Sequence, residues 1–272
     1  MSNETITKKD SFGTYYELHK RDNTPIVFIH GVGLHHGIWE EQIYSFDNTI
    51  LTYDILGHGK TSLEKNNITF DDFSEQLLNL VKELNIEKFH LVGFSIGSLI
   101  ARNFATKYND RLMTLTLLGS TYKRSIDQQK IVEERLKKSK YSSRMSKTGL
   151  VRWFNEDFLK KNETIFWFID GMLDQNYMKN FNKVYELFVK HKDDEDFEKI
   201  NTKTLIITGE NDIGSTPEMS KNLSKVIKNS KVKIIPIGKH LCHIECSNKV
   251  NNAIKEHIND WFKKISNVYK WS

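Results

Sequence analysis

Three short stretches carry the side chains able to make and break covalent bonds: GFSIG (93–97), GENDIGSTP (209–217) and GKHLCHIEC (238–246). The first is a G-x-S-x-G pattern set between the apolar run FHLV and the helical run LIARNF. There it predicts a sharp strand-to-helix turn, with glycines on both sides removing the β-carbons that would clash. Ser95 then stands at the positive end of a helix, with backbone amides beside it. A serine hydroxyl is a weak nucleophile until a base takes its proton and an acid orients the base.

With an elbow of this kind the partners follow in the order serine, acid, histidine. Asp212, just past the run TLIITG (204–209), is the expected acid. Glu210 is the weaker choice because it lies closer to the strand. No carboxylate directly follows the run at 112–119. His240, after KVKIIPI (231–237), is the expected base. His243 is its rival, placed at the start of a following helix and expected to pack or cap. The loop also offers ligand types that suit zinc: His240, Cys242, His243 and Cys246. They lack the paired spacing of zinc sites and would need a tight knuckle, so no metal is expected. A Cys242–Cys246 disulfide is not expected in a reducing compartment. His30-Gly31-Val32-Gly33 closes the run TPIVFIH, and its glycines let an amide turn toward the nucleophile. The amides of Val32 and Ile96 are the expected oxyanion donors.

These groups need a frame. Apolar β-branched runs at 24–30, 49–54, 89–95, 112–119, 204–209 and 231–237 read as buried strands. Helical spacing separates them: Phe73, Leu77, Leu80, Val81 and Leu84; Ile96, Ile100 and Phe104; Val250, Ile254, Ile258 and Trp261. The alternation predicts an α/β fold with a doubly wound, mostly parallel sheet. Residues 6–20 suit an antiparallel hairpin at the sheet edge. Residues 122–200 hold no convincing strand and read as helices, RSIDQQKIVEERLKK, LVRWFNEDFLKK and a third run from Glu163. They are expected to form an all-helical cap inserted into a core of residues 1–121 and 201–272, over the carboxyl ends of the strands. The cap carries Trp153, Phe154, Phe158, Phe166, Trp167, Phe168, Met172 and Met178, most of them expected in its own core and a few in an apolar pocket. Lys137, Lys138, Lys140 and Arg144 are expected to be a solvated basic face, with attraction of an anionic substrate the sharper reading. His30 is expected to bond neighbouring loops, His58 to serve a turn, and His35 and His36 to line the pocket mouth or meet solvent.

Composition narrows the classes. The 272 residues are 38% hydrophobic, enough for a large buried core. The 40 basic and 35 acidic residues are interspersed, leaving a formal charge of +5 and no basic stripe that would track a nucleic acid. The start MSNETITKKD lacks an apolar signal core, and no apolar run is long enough to cross a bilayer. A cytoplasmic protein without nucleic-acid or membrane partners is expected, of a subunit number that the sequence leaves open.

Five stretches in order, HGVGLHHGIW (30–39), DILGHGKTS (54–62), GFSIGS (93–98), GENDIGSTP (209–217) and GKHLCHIE (238–245), resemble the successive motifs of α/β-hydrolase fold enzymes with a helical cap. The resemblance runs from about residue 12 to residue 264. Its last two loops look most like 3-oxoadipate enol-lactonases and small carboxylesterases. Lys239 departs from the family's small residue before the histidine, Ser98 from a frequent glycine, and Cys246 and Asn109 from frequent prolines. The resemblance implies a cofactor-free hydrolase in which Ser95, Asp212 and His240 cleave a small-molecule ester or lactone through an acyl-enzyme. Serine at the elbow argues against relatives that need a carboxylate nucleophile, such as dehalogenases and epoxide hydrolases. An acyltransferase or thioesterase would use the same triad, as would cofactor-free lyases and perhydrolases. A ligand-binding protein that retains a hydrolase shell is the non-enzymatic alternative.

Overall fold

Described in a computed structural model over residues 4–139, 147–174 and 178–268, the chain forms an eight-stranded sheet. The strands are β1 (Glu4–Lys9), β2 (Tyr15–Lys20), β3 (Asn23–Ile29), β4 (Asn48–Tyr53), β5 (Phe89–Phe94), β6 (Leu112–Leu118), β7 (Thr204–Gly209) and β8 (Ser230–Ile235). The helices are α1 (Glu40–Ile43), α2 (Phe70–Glu83), α3 (Ile96–Tyr108), α4 (Ile126–Ser139), α5 (Glu156–Lys161), α6 (Ile165–Asp174), α7 (Met178–Lys190), α8 (Pro217–Val226), α9 (Cys242–Glu245) and α10 (Ser247–Val268). The spatial order is β1-β2-β4-β3-β5-β6-β7-β8. β2 runs antiparallel to β1 and β4; every later pairing is parallel. The expected hairpin and doubly wound sheet are therefore both present.

The strands read as unbroken apolar runs because each face has its own cover. Val27, Ile29 and Leu91 pack on one side with Phe73, Leu77, Leu80 and Val81 of α2 and Ile100 and Phe104 of α3. Ile26, Phe28 and Val92 pack on the other with Trp39 and with Val250, Ile254 and Ile258 of α10. Alternation along a strand thus divides one apolar run between two cores. β8 differs from the buried strand expected of KVKIIPI. It is the edge strand, and Lys231 and Lys233 alternate outward into solvent.

β3 lies between β4 and β5, so successive connections leave it in opposite directions. Such a switch point opens a crevice at the carboxyl ends of the strands. Ile29 pairs with Gly93, which sets the loop after β3 beside the turn after β5. Between β6 and β7 the described residues contain helices and no strand. LVRWFNEDFLKK is not one helix, however. A 3₁₀ segment over Lys147–Arg152 gives way at Asn155, an extended residue before α5. Asn155 leaves the helical path because its amide and its side-chain nitrogen both donate to Glu245, at 2.8 and 3.0 Å. The third helical run divides into α6 and α7. The side chains of Met178 and Trp261, and residues Lys140 and Arg144, lie outside the described residues.

Candidate active site

Ser95 links β5 to α3 with φ 55° and ψ −120°. A left-handed φ is strained for a side-chain-bearing residue and is retained only where the surroundings enforce it. Here the neighbours enforce it by proximity. A β-carbon on Gly93 would collide with the Gly97 carbonyl, and one on Gly97 with the Ile29 and His30 carbonyls. The turn is therefore as tight as the backbone of β3 allows. The Ser95 amide donates to the Leu118 carbonyl at 2.9 Å, and Ser98, placed where a glycine is frequent, returns its hydroxyl to the Ser95 carbonyl.

Asp212 follows β7 and is 3% exposed. Its Oδ1 accepts the amides of Gly214 at 2.8 Å and Ser215 at 2.9 Å, and its Oδ2 lies 2.7 Å from Nδ1 of His240. An acceptor on Nδ1 fixes the tautomer that leaves Nε2 free to receive a proton. Glu210, the weaker candidate, instead accepts the Ile237 amide at 2.9 Å. His243, the rival base, is fully buried in α9 and stacks on Trp39 and Phe94 at 4.8 and 4.5 Å between ring centroids. Burial holds its pKa down to about 3, with repulsion from His240 adding to the effect.

The His240 loop is also tied to the helical insert. The Lys239 amide and the Asn155 side chain and amide all donate to the Glu245 carboxylate. The Leu241 amide donates to the Trp153 carbonyl at 3.1 Å, and Lys239 Nζ donates to the Val151 carbonyl. Lys239 thus serves as a strut between loop and insert.

Gly31, Val32, Ser95, Asp212 and His240 line one cavity of about 570 Å³, within the range of small-molecule sites. No hydrogen bond joins Ser95 Oγ to His240 among the described residues. The amides of Val32 and Ile96 donate to no other group there. His30 secures the loop that carries Val32. Its Nδ1 donates to the Gly31 carbonyl at 2.8 Å and its Nε2 accepts the Ile55 amide at 3.0 Å. Burial pushes its pKa to about 3, so it stays a neutral spacer.

His35 and His36 do not line the cavity. His36 is enclosed between Asp54 at 2.7 Å and Glu17 at 3.2 Å. Burial opposes its charge, but the two carboxylates outweigh burial and raise its pKa to about 9. His35, His36 and Asp54 form one group with ligand atoms within 4.8 Å of one another; His191, Asp193 and Glu195 form another. In the first, His36 already pairs with Asp54 and Glu17, and His35 accepts the Gly37 amide; in the second, Arg102 pairs with both carboxylates. His58 is buried, its Nδ1 3.3 Å from the Leu56 carbonyl in its turn.

Of the cap aromatics singled out in the sequence, Trp153 alone reaches the cavity among the described side chains. Leu173 of α6 and Phe181, Tyr185 and Phe188 of α7 form much of the rest of that wall. Spacing of three and four marks the α7 residues as one face, but not what the face meets. Arg124, Arg135 and Arg152, not singled out either, line the same space. Lys137 is exposed, whereas Lys138 reaches the cavity rim.

A serine at a strained elbow, a carboxylate–histidine pair and a cavity that all three line lie at the carboxyl edge of a doubly wound sheet. Residues 24–246 match the model of the α/β hydrolase fold family, and the chain belongs to that family. It is 25% identical over 245 residues to (E)-2-((N-methylformamido)methylene)succinate hydrolase of Acinetobacter baylyi, covering 89% of this chain and 92% of the relative. It is 26% identical over 244 residues to 3-oxoadipate enol-lactonase 1 of the same organism, covering 88% and 91%. The crystal structure of the enol-lactonase from Burkholderia xenovorans superposes with a TM-score of 0.76 at 19% identity, covering 90% of this chain and 97% of that one. The likeness to enol-lactonases inferred from the two carboxyl-terminal motifs thus extends over most of the chain.

Proposed function

We propose that the protein is a cofactor-free serine hydrolase that cleaves a small-molecule carboxylic ester or lactone. The observation that carries this reading is the Asp212–His240 bond of 2.7 Å, in the cavity that Ser95 also lines. His240 Nε2 takes the Ser95 proton as Oγ attacks the carbonyl carbon. The negative charge that forms on the carbonyl oxygen is received by the amides of Val32 and Ile96, which have no other acceptor among the described residues. His240 then gives the proton to the leaving oxygen. Water, deprotonated by the same nitrogen, attacks the acyl-enzyme and releases the acid and the serine. That no hydrogen bond joins Ser95 and His240 among the described residues is compatible with a free enzyme, since such bonds tighten around substrate. Hydrolysis of a lactone follows the same steps, with the leaving oxygen held in the product.

The same reading treats residues 122–200 as a helical cap on a core of residues 1–121 and 201–272. It places the reaction in the cytoplasm, where Cys242 and Cys246 stay reduced, in keeping with their free thiols. No helix among the described residues is long and apolar enough to cross a membrane. The resemblance to an enol-lactonase and a succinate-derivative hydrolase supports the choice of ester or lactone.

A fluorophosphonate probe tests the central step. One label per chain is expected on the wild type and none on Ser95→Ala, with ester turnover lost in parallel. Full turnover by Ser95→Ala would remove the reading.

A further inference from the structure

The cavity has two unlike walls. Ser95, Asp212 and His240 approach from the sheet, whereas Arg124, Arg135 and Arg152 approach from the insert between β6 and β7. Cations that line a partly enclosed cavity are normally matched by carboxylates, because an unpaired charge loses hydration there. Among the described residues none of the three forms an ion pair with a carboxylate, although Asp193 acts on Arg124 from further off. Arg135 makes no hydrogen bond or ion pair among the described residues. Arg152 donates through Nε to the Gly149 carbonyl at 3.3 Å, and among the described residues Arg124 donates to the carbonyls of Phe188 and Val189 and the Thr121 hydroxyl, at 3.3 to 3.4 Å. The carboxylates on the lining are Asp212, already bonded to His240, and the exposed Glu134. Lys138 adds a further cation at the rim.

The three guanidinium-bearing residues line one cavity. Tyr185 of α7 experiences the charge of all three, and Arg152 that of Arg135, so that burial and mutual repulsion both weigh on Arg152. Each guanidinium offers a planar fork of N–H donors, whose geometry matches the two oxygens of a carboxylate. The Tyr185 hydroxyl makes no hydrogen bond among the described residues and lines the same wall. An anion placed there would relieve the repulsion and accept several donors at once.

Resting on the hydrolase reading above, we propose that Arg135 and Arg152, assisted by Arg124 and Tyr185, form an anion subsite that selects esters or lactones bearing a carboxylate away from the scissile carbonyl. The sheet wall then holds the reacting carbonyl, and the insert wall holds the distal carboxylate. The length of the linker between them is set by the width of the cavity. Neutral esters fill the apolar part between Leu173 and Phe181 but leave the cations unmatched.

The test uses two matched series on the full chain: 4-nitrophenyl half-esters of glutaric, adipic and pimelic acids, and 4-nitrophenyl esters of the methyl-ended acids of equal length. The half-esters are expected to exceed their neutral counterparts in kcat/KM by about 10–100-fold, with an optimum at one length. Arg135→Gln and Arg152→Gln are each expected to reduce that ratio at least about tenfold, through KM. Lys228→Gln removes a charge from the exposed surface and leaves the ratio in place. Equal kcat/KM for both series would overturn the subsite while leaving the hydrolase intact, as would a preference that survives both arginine changes. If neither series turns over, the hydrolase reading fails for these esters, and calorimetric titration with monomethyl adipate decides the subsite alone. Saturable binding weakened by Arg135→Gln upholds it; no saturable binding overturns it.

Discussion

The carboxylate of Asp212 is shared between two duties, with Oδ2 2.7 Å from His240 Nδ1 and Oδ1 held by the amides of Gly214 and Ser215. An amide side chain cannot serve both. If its oxygen accepts the two backbone donors, its NH₂ faces Nδ1 and imposes the wrong tautomer. If it turns over, the NH₂ meets two N–H groups. Asp212→Asn is therefore expected to reduce kcat by about 10³–10⁴ with a much smaller change in KM. A steady-state comparison on one ester, with fluorophosphonate labelling rates as a second readout, checks it. Wild-type kcat in this variant would strip Asp212 of its role.

Gly97 is expected to tolerate no side chain. Its β-carbon would meet the carbonyl oxygens of Ile29 and His30, which belong to the backbone of and just beyond β3 and cannot swing aside. Gly97→Ala should lower stability by about 2–4 kcal/mol and remove ester turnover, because relief comes from displacing α3 and the Ser95 amide region. Urea unfolding reads the first effect. A midpoint equal to wild type would show that the elbow has slack.

Arg102 is fully buried, with Asp193 at 2.9 Å and Glu195 at 2.6 Å, and ties α3 to the end of the insert. Arg102→Met leaves both carboxylates inside with His191 as their remaining ion-pair partner among the described residues. A loss of about 3–5 kcal/mol at pH 7 is expected. The loss should shrink toward pH 4.5, since the stranded carboxylates can then take up protons. Burial works against the Asp193 charge, but His191 and Arg102 outweigh it and bring its pKa to about 2 in the intact protein. A deficit that is the same at both pH values would argue against this account.

Histidine protonation is expected to set the acid limit of stability. Burial, as the largest influence, lowers the pKa of His30 and His243 to about 3 and of His58, His90 and His257 to about 4. A depressed histidine is neutral when folded, so its contribution is complete above the unfolded value of 6.5 and is lost as pH falls below it. Unfolding below pH 6.5 should therefore take up protons at as many as these five positions. His36 acts in the opposite sense. Its pKa of about 9 makes its contribution complete below 6.5 and lost as pH rises toward 9. Stability should peak near neutrality, and His36→Gln should flatten the alkaline side. Urea midpoints at pH 5, 7 and 9 measure this, and a monotonic profile would contradict it.

Much of this was legible in the sequence, for reasons that can be named. The elbow could be read because a strand, a glycine-flanked serine and a helix are contiguous, so local geometry is written locally. Asp212 and His240 could be placed because each follows a strand whose end lies on the same sheet edge. LVRWFNEDFLKK was misread as one helix because its interruption depends on Glu245, 90 residues away, which recruits Asn155. The burial of His36 between Asp54 and Glu17 is equally non-local. The arginines of the cavity were missed because a cation at helical spacing looks solvated until the opposing wall is known. That wall is built from β5, β7 and the loops beyond them.

Glu245 fastens to a single carboxylate both Asn155 of the insert and the amide of Lys239, the residue next to His240. Were the 150–155 segment to swing outward, it would pull on the His240 loop. Under the proposed mechanism, admission of a guest and arming of Ser95 are therefore mechanically linked. A molecule that wedges this seam apart would silence the centre without ever touching Ser95.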